Sequence, residues 1–322
     1  MERAEQAPTN KEASKKEYID LVVRKLPVDE RVDLDEFIEI DREGVMRDKA
    51  LVAQEKAGQD MKRANESEGA LALKSESERF EAGVVVHIVN RHKWFGKDAH
   101  VTRASEYDDK INKTDAYLEI KIPGVGNEQD QHSTICLSID ATETSDFNEV
   151  AQKLSRNQET IKNGGQKIKY FKSFFTQERG NKGHVMPIIL GADATHARDV
   201  FIRANELNIL AGKMKEQPTP RVREMAQTRI MELAIHPMQR LFLEEAIMQY
   251  EYHLAQADKD PKYMSPAMRE QAEKDLAALK NIHQPVSENN FQLFENDKVY
   301  KHIKELTNPY YSPRDNNVVY SK

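Results

Sequence analysis

The chain has 322 residues, 39% of them hydrophobic and 32% charged, with a net charge of −6. That supports a folded centre with solvated flanks. It argues against a basic surface of general nucleic-acid affinity, though not against a local basic patch. Cys136 is the only cysteine, which excludes an intramolecular disulfide and fits a reducing compartment. The N-terminus lacks an apolar signal core and no run approaches 18 apolar residues, so the expectation is a soluble cytoplasmic protein with no membrane span.

In chain order, residues 1–16 are polar and read as disordered. Tyr18, Leu21, Val22 and Leu26 follow helical spacing up to Pro27. Residues 28–70 are charge-dense with sparse apolar positions, and predict weak, exposed helices on a solvated flank. Ser75 and Glu78 have capping-box spacing, and Phe80, Val84 and Ile88 continue as an apolar stripe that Gly96 ends. A short strand is predicted at His100–Ala104. From Asp115 to Ile122, the apolar residues Ala116, Leu118, Ile120 and Ile122 alternate with Asp115, Tyr117, Glu119 and Lys121, the period of a strand. The Gly-rich, acidic stretch 123–133 suits a hairpin loop, and Thr134–Asp140 forms the next strand.

Asp146 and Glu149 repeat the capping-box spacing. Phe147, Val150, Leu154 and Ile161 then mark a helix that Gly164-Gly165 stops. Lys167–Phe171 and His184–Leu190 read as strands, the second at a sheet edge because Pro187 lacks a donor. A helix is expected from about Ala194. Beyond Pro218 the pattern is helical, interrupted at Pro237, and Ser265-Pro266 begins another helix. Its methionines, Met225, Met231, Met238 and Met248, suggest a packing or oligomerisation surface, through which a second copy or another protein could bind. The tail from Asn308 looks irregular. The organisation expected is a charged N-terminal extension (1–74), an α/β core (75–215) and a helical C-terminal region (216–322).

The chemistry lies in the two central strands. Isolated carboxylates at the ends of apolar strands are costly to bury without a compensating cation. Paired as a hairpin, the strands place Asp115 and Asp140 near one open end of the sheet, where a hard divalent metal could sit between them. Glu81, at the margin of the first apolar stripe, is a candidate third acid. Between Lys153 and Lys182 there are eight cations against two acids, with Tyr170, Phe171, Phe174 and Phe175 interleaved. Such a stretch can contact phosphates and stack on bases, and Lys153, Arg156, Lys167 and Lys172 are its candidate nucleic-acid contacts. Asp193 in Asp-Ala-Thr-His196 reads as an N-cap rather than a ligand. Cys136 lies within a strand without a local histidine and is not a candidate nucleophile.

The order helix with Glu, strand, strand opening on Asp, strand ending in an acid, helix, strand resembles the core of the PD-(D/E)XK nuclease superfamily over residues 75–192. The resemblance implies a restriction-endonuclease-like αβββαβ core. It also implies Mg²⁺- or Mn²⁺-dependent hydrolysis of phosphodiester bonds in DNA, with RNA the alternative. Its site would comprise Glu81, Asp115, Asp140 and a lysine, with Asp115 and Asp140 holding the metal. Thr142 stands where that family carries its lysine, so the lysine must come from elsewhere. Lys169 is the first candidate and Lys167, on the same strand face, the second. A second registration, Asp109, Glu119 and Lys121, is closer to the literal signature and uses the same sheet face. A protein that binds or assembles on such a fold without catalysis is the rival expectation, favoured by Thr142 and the acidic balance.

Overall fold

The computed structural model describes residues 31–64, 89–122, 133–142, 146–193, 237–287 and 296–308, and a few positions between 195 and 224. Glu81, the Ser75–Glu78 capping box and the 123–132 loop lie outside the described residues. So does the helix expected before Pro27, and so does the helix expected from about Ala194 beyond its helical residues Thr195 and His196.

A 3₁₀ turn at Leu34–Phe37 leads into α1 (Arg42–Arg63). The short α2 (Val89–His92) precedes β1 (Ala99–Arg103), and α3 (Glu106–Lys110) precedes the antiparallel pair β2 (Ala116–Ile122) and β3 (Ser133–Thr142). Then come α4 (Phe147–Lys162), β4 (Gln166–Lys172) and β5 (Arg179–Gly191). The helices α5 (Pro237–Lys259), α6 (Pro266–Ser287) and α7 (Lys298–Leu306) follow. The fold is α/β, with one five-stranded mixed sheet in the order β1-β2-β3-β5-β4. β1, β2 and β3 form an antiparallel meander, β5 lies parallel to β3, and β4 closes antiparallel on β5. Among the described residues no helix is long and apolar enough to cross a membrane.

The expected alternation holds through β2 and β3. Leu118, Leu137, Ile139 and Ile188 point to one face, where they pack with Trp94, Phe242 and Tyr250 in the largest core. α5 and α6 are thus part of the same core as the sheet. The opposite face differs from expectation: Tyr117 and Glu119 are as deeply buried as the apolar residues between them. Tyr117 packs there with Cys136, Ile168, Tyr170 and Val185, and with Phe37 and Val45 from the N-terminal segment. The flank read as solvated therefore contributes a buried stripe of α1 to the second layer.

Local chemistry explains several boundaries. Asp146 caps α4 by accepting the Asn148 N–H at 2.8 Å. The helix stops at Gly164 and Gly165, whose φ angles are +96° and +90°. Any side chain at Gly165 would also meet the His184 backbone at 2.9 Å. β5 is an edge strand only in part. Residues 179–185 pair with β4, but residues 186–191 pair with β3 alone. Along that outer half α5 takes the place of a strand. The Gln249 amide accepts Ile189 N–H at 2.8 Å and donates to Ile189 C=O at 2.7 Å, and Glu245 accepts Gly191 N–H at 2.9 Å. Pro187 shares strand parity with Ile189 and Gly191, so its missing donor falls on this side, where no strand needs it.

Candidate metal and phosphodiester site

Asp115 immediately precedes β2, and Asp140 lies near the end of β3. The Asp115 Oδ2 accepts the Ala141 N–H at 2.7 Å, which sets its carboxylate against the peptide that follows Asp140. The Asp115 N–H donates to Ile139 C=O at 2.9 Å, tying the start of one strand to the end of the other. Beside them Thr114 and Ser138 share a buried hydroxyl–hydroxyl hydrogen bond of 2.9 Å. Asp115 is thereby held beside the peptide that joins Asp140 to Ala141.

The cations at this site come from α4. Lys153 Nζ donates to Asp140 Oδ1 at 2.7 Å and to Ala141 C=O at 3.3 Å, and Arg156 pairs with Asp140 Oδ2. Spaced i, i+3, the two side chains leave one helix face together. Both had been expected to contact nucleic acid. Their placement on Asp140 instead supplies a lysine to the acid whose own strand carries Thr142. The signal in the sequence was the capped helix starting at Asp146, which fixes the phase of Lys153; its position over Asp140 depends on tertiary packing.

Lys169 is not the lysine of this pair. Its amine pairs with the buried Asp48 of α1 and lies 5.0 Å from the centre of the Tyr107 ring. Asp48 also accepts the Tyr170 hydroxyl at 2.7 Å. The physical reason is desolvation: a carboxylate that α1 carries inside recruits the nearest cation, and that cation is Lys169. Lys172 is likewise engaged elsewhere, 2.6 Å from Glu36, an acid shared with Arg179.

The second registration does not form a cluster. Asp109 lies 2.7 Å from Arg31 and 3.4 Å from Lys110. Glu119 accepts Ser173 Oγ–H and Phe174 N–H, each at 2.8 Å. Burial raises the Glu119 carboxyl above its ordinary range, and these two donors oppose the rise. Lys121 lies farther along β2, paired in register with Thr134. These residues have separate partners, and those of Glu119 serve to pin the β4–β5 turn. Neighbouring Asp108 is fully buried and accepts Lys169 N–H at 2.8 Å and Tyr170 N–H at 3.0 Å. It fastens α3 to β4.

Among the described residues, three metal-ligating side chains converge only at Asp193, His196 and Asp297, whose ligand atoms lie within 4.8 Å of one another. The group could hold an ion: His196 Nδ1 lies 3.2 Å from Asp193 Oδ1 and 2.9 Å from Asp297 Oδ2, and the two carboxylates also serve the backbone. Asp193 Oδ1 accepts the N–H groups of Thr195 (3.0 Å) and His196 (3.2 Å). Asp297 Oδ1 accepts Tyr300 N–H at 3.0 Å to cap α7, and its Oδ2 accepts Asp193 N–H at 2.9 Å. The expected capping role of Asp193 is what these contacts describe.

Comparisons with protein-family models, with curated proteins and with solved structures gave no match to this chain.

Proposed function

We propose that this protein hydrolyses phosphodiester bonds in nucleic acid, DNA foremost, at a site made by Asp115, Asp140 and Lys153 on a restriction-endonuclease-like core. The carrying observation is the meeting of an acid before β2 with an acid near the end of β3 at a single peptide, with a lysine amine on the second acid. The strand order is compatible with it: an antiparallel meander is followed by α4, by the edge strand β4, and then by β5, which lies parallel to β3.

The donor set fits Mg²⁺ or Mn²⁺. Both acids offer hard oxygen atoms with no thiol or imidazole between them, and Mg²⁺ is commonly held by one or two carboxylates, with water and substrate phosphate completing its shell. A bound ion of this kind polarises a phosphoryl oxygen and lowers the pKa of a coordinated water. The protein's own groups do the rest. The Ala141 amide orients Asp115. Lys153, held by Asp140 and the Ala141 carbonyl, keeps a positive charge where negative charge develops on the phosphoryl oxygens. Arg156 offers planar donors suited to a phosphate once it releases Asp140.

One observation favours a second reading, a binding or assembly protein without catalysis: each Asp140 oxygen already faces a cation. Cleavage of labelled duplex DNA with Mg²⁺ or Mn²⁺ separates the two readings. Wild type should cut and Asp115→Ala and Asp140→Ala should not. Equal activity in all three, or none in any, removes the proposed site.

A further inference from the structure

Beside Asn112, whose carbonyl accepts the Gln166 side-chain amide at 2.8 Å, the β4–β5 ladder is broken. Between Gln166 and Ile168 the partner strand advances from Val185 to Lys182, a bulge that includes His184 at φ +57°. Bulges re-aim side chains. Here the irregularity borders a cavity of about 630 Å³ lined by Lys167, Lys169, Lys182, Asn112, Asn181 and Tyr107, among others. None of the described lining residues is a carboxylate. The charge of Lys169 is balanced from behind by Asp48. Lys167 is exposed and Lys182 lies over the Phe171 ring, and among the described residues neither is within ion-pair distance of an acid. In a chain of net charge −6, two ammonium groups and two amide side chains around a cavity of ligand size make a local anion site.

We propose that this cavity holds backbone phosphates of the nucleic-acid strand whose cleavage is proposed above, and the inference rests on that reading. Asn112, in the cavity wall, stands three residues before Asp115, so at most about 11 Å of chain separates them. That is about three base-pair steps of axial rise on a duplex. The cavity would then position the strand without reading its sequence, as phosphate contacts do.

The test is fluorescence anisotropy of fluorescein-labelled DNA, single-stranded and duplex, with full-length protein in EDTA so that no cleavage intervenes. Salt is varied from about 50 to about 200 mM. Wild type should bind. Lys167→Gln/Lys182→Gln should bind at least tenfold more weakly, with a salt slope on duplex shallower by about 2. Lys167→Gln alone, at an exposed position that leaves the fold intact, should lower the slope by about 1. Wild-type affinity and slope in both variants, or no binding by wild type, would overturn the proposal. Binding that persists without cleavage after Mg²⁺ is restored would remove the hydrolysis reading and keep the cavity. Cleavage with binding unaltered in the variants would do the reverse.

Discussion

Lys153 Nζ lies 2.7 Å from Asp140 Oδ1 and bridges onward to the carbonyl of the next residue. One amine thus fixes both the charge and the backbone at the end of β3. The pair joins a helix to the sheet beside Asp115; its side chains keep 18% and 11% of their exposure, and the outer Asp140 oxygen is covered by Arg156, which keeps 42%.

Arg156 separates chemistry from stability here, because it keeps a cation on Asp140 when Lys153 is removed. Lys153→Met should therefore shift the unfolding free energy by about 1 kcal/mol, while lowering kcat on DNA by about 10² to 10³ with a smaller change in KM. Lys153→Arg should restore part of kcat. Steady-state kinetics beside urea denaturation checks this. A stability loss that accounts for the whole activity loss would assign the pair to structure.

Lys169→Met should behave in the opposite way. Removing the cation leaves Asp48 inside with the Tyr170 hydroxyl at 2.7 Å and the Arg47 guanidinium no closer than 3.7 Å. The expected cost is about 1–3 kcal/mol, read as a lower urea midpoint at constant slope. Cleavage by the fraction still folded should be unchanged. A selective loss of kcat would return Lys169 to the catalytic set.

Glu119 distinguishes the two readings of the sequence. Its carboxylate holds Ser173 and Phe174, and so the turn that displays Phe174, which is 48% exposed and stacks on His100 at 3.5 Å between centres. Glu119→Ala should destabilise by about 2–3 kcal/mol through unsatisfied buried donors. Glu119→Gln should keep most of the cleavage rate. Abolished turnover in a folded Glu119→Gln protein would favour the registration through Asp109, Glu119 and Lys121.

Gln249 supports β5 as a strand would. Gln249→Leu leaves the Ile189 N–H and C=O buried without their side-chain partner, and should cost about 2–4 kcal/mol. Hydrogen exchange should localise the loss of protection to the outer half of β5. Unchanged protection there would mean that the amide pair contributes nothing to that edge.

Stability should also depend on Asp275. Burial pushes its carboxyl up to about 7, opposed by hydrogen bonds from Gln271 and Tyr250. The folded state then holds a proton that the unfolded chain releases near 4. Its stabilising contribution is complete below that pH and is lost as pH rises through 7. Buried His253, held down to about 3, acts with the opposite sign: its contribution is present above the ordinary histidine value and lost on acidification. The difference between wild type and Asp275→Asn isolates the carboxyl. It should fall by a few kcal/mol between about pH 4 and about pH 7, measured by urea midpoints across that range. A flat difference would contradict a protonated Asp275.

Much of this architecture was legible in the chain because local rules agree with it. The alternation in β2 and β3, the Asp146 cap, the glycine pair after α4 and the Ser265-Pro266 start all act over a few residues. The meeting of the start of β2 with the end of β3 was legible too, since a hairpin suffices to bring them together. The burial of Glu119 was not, because the donors that permit it stand 54 and 55 residues away. Nor was the exchange of roles between Lys153 and Lys169. Each lysine follows whichever acid tertiary packing brings beside it, and Asp48 sits in a helix whose composition reads as solvated surface. α7, nine residues long, falls in the region expected to be helical, but its bounds were not marked there.

The central claim is that Asp115 and Asp140 together grip one divalent ion. Titration of the full chain with Mn²⁺, following the paramagnetic signal of the free ion, tests it directly. Wild type and His196→Ala should each remove one ion per chain, and Asp115→Asn/Asp140→Asn should remove none. An ion retained by the double variant but lost in His196→Ala, or no uptake by wild type, would contradict the account.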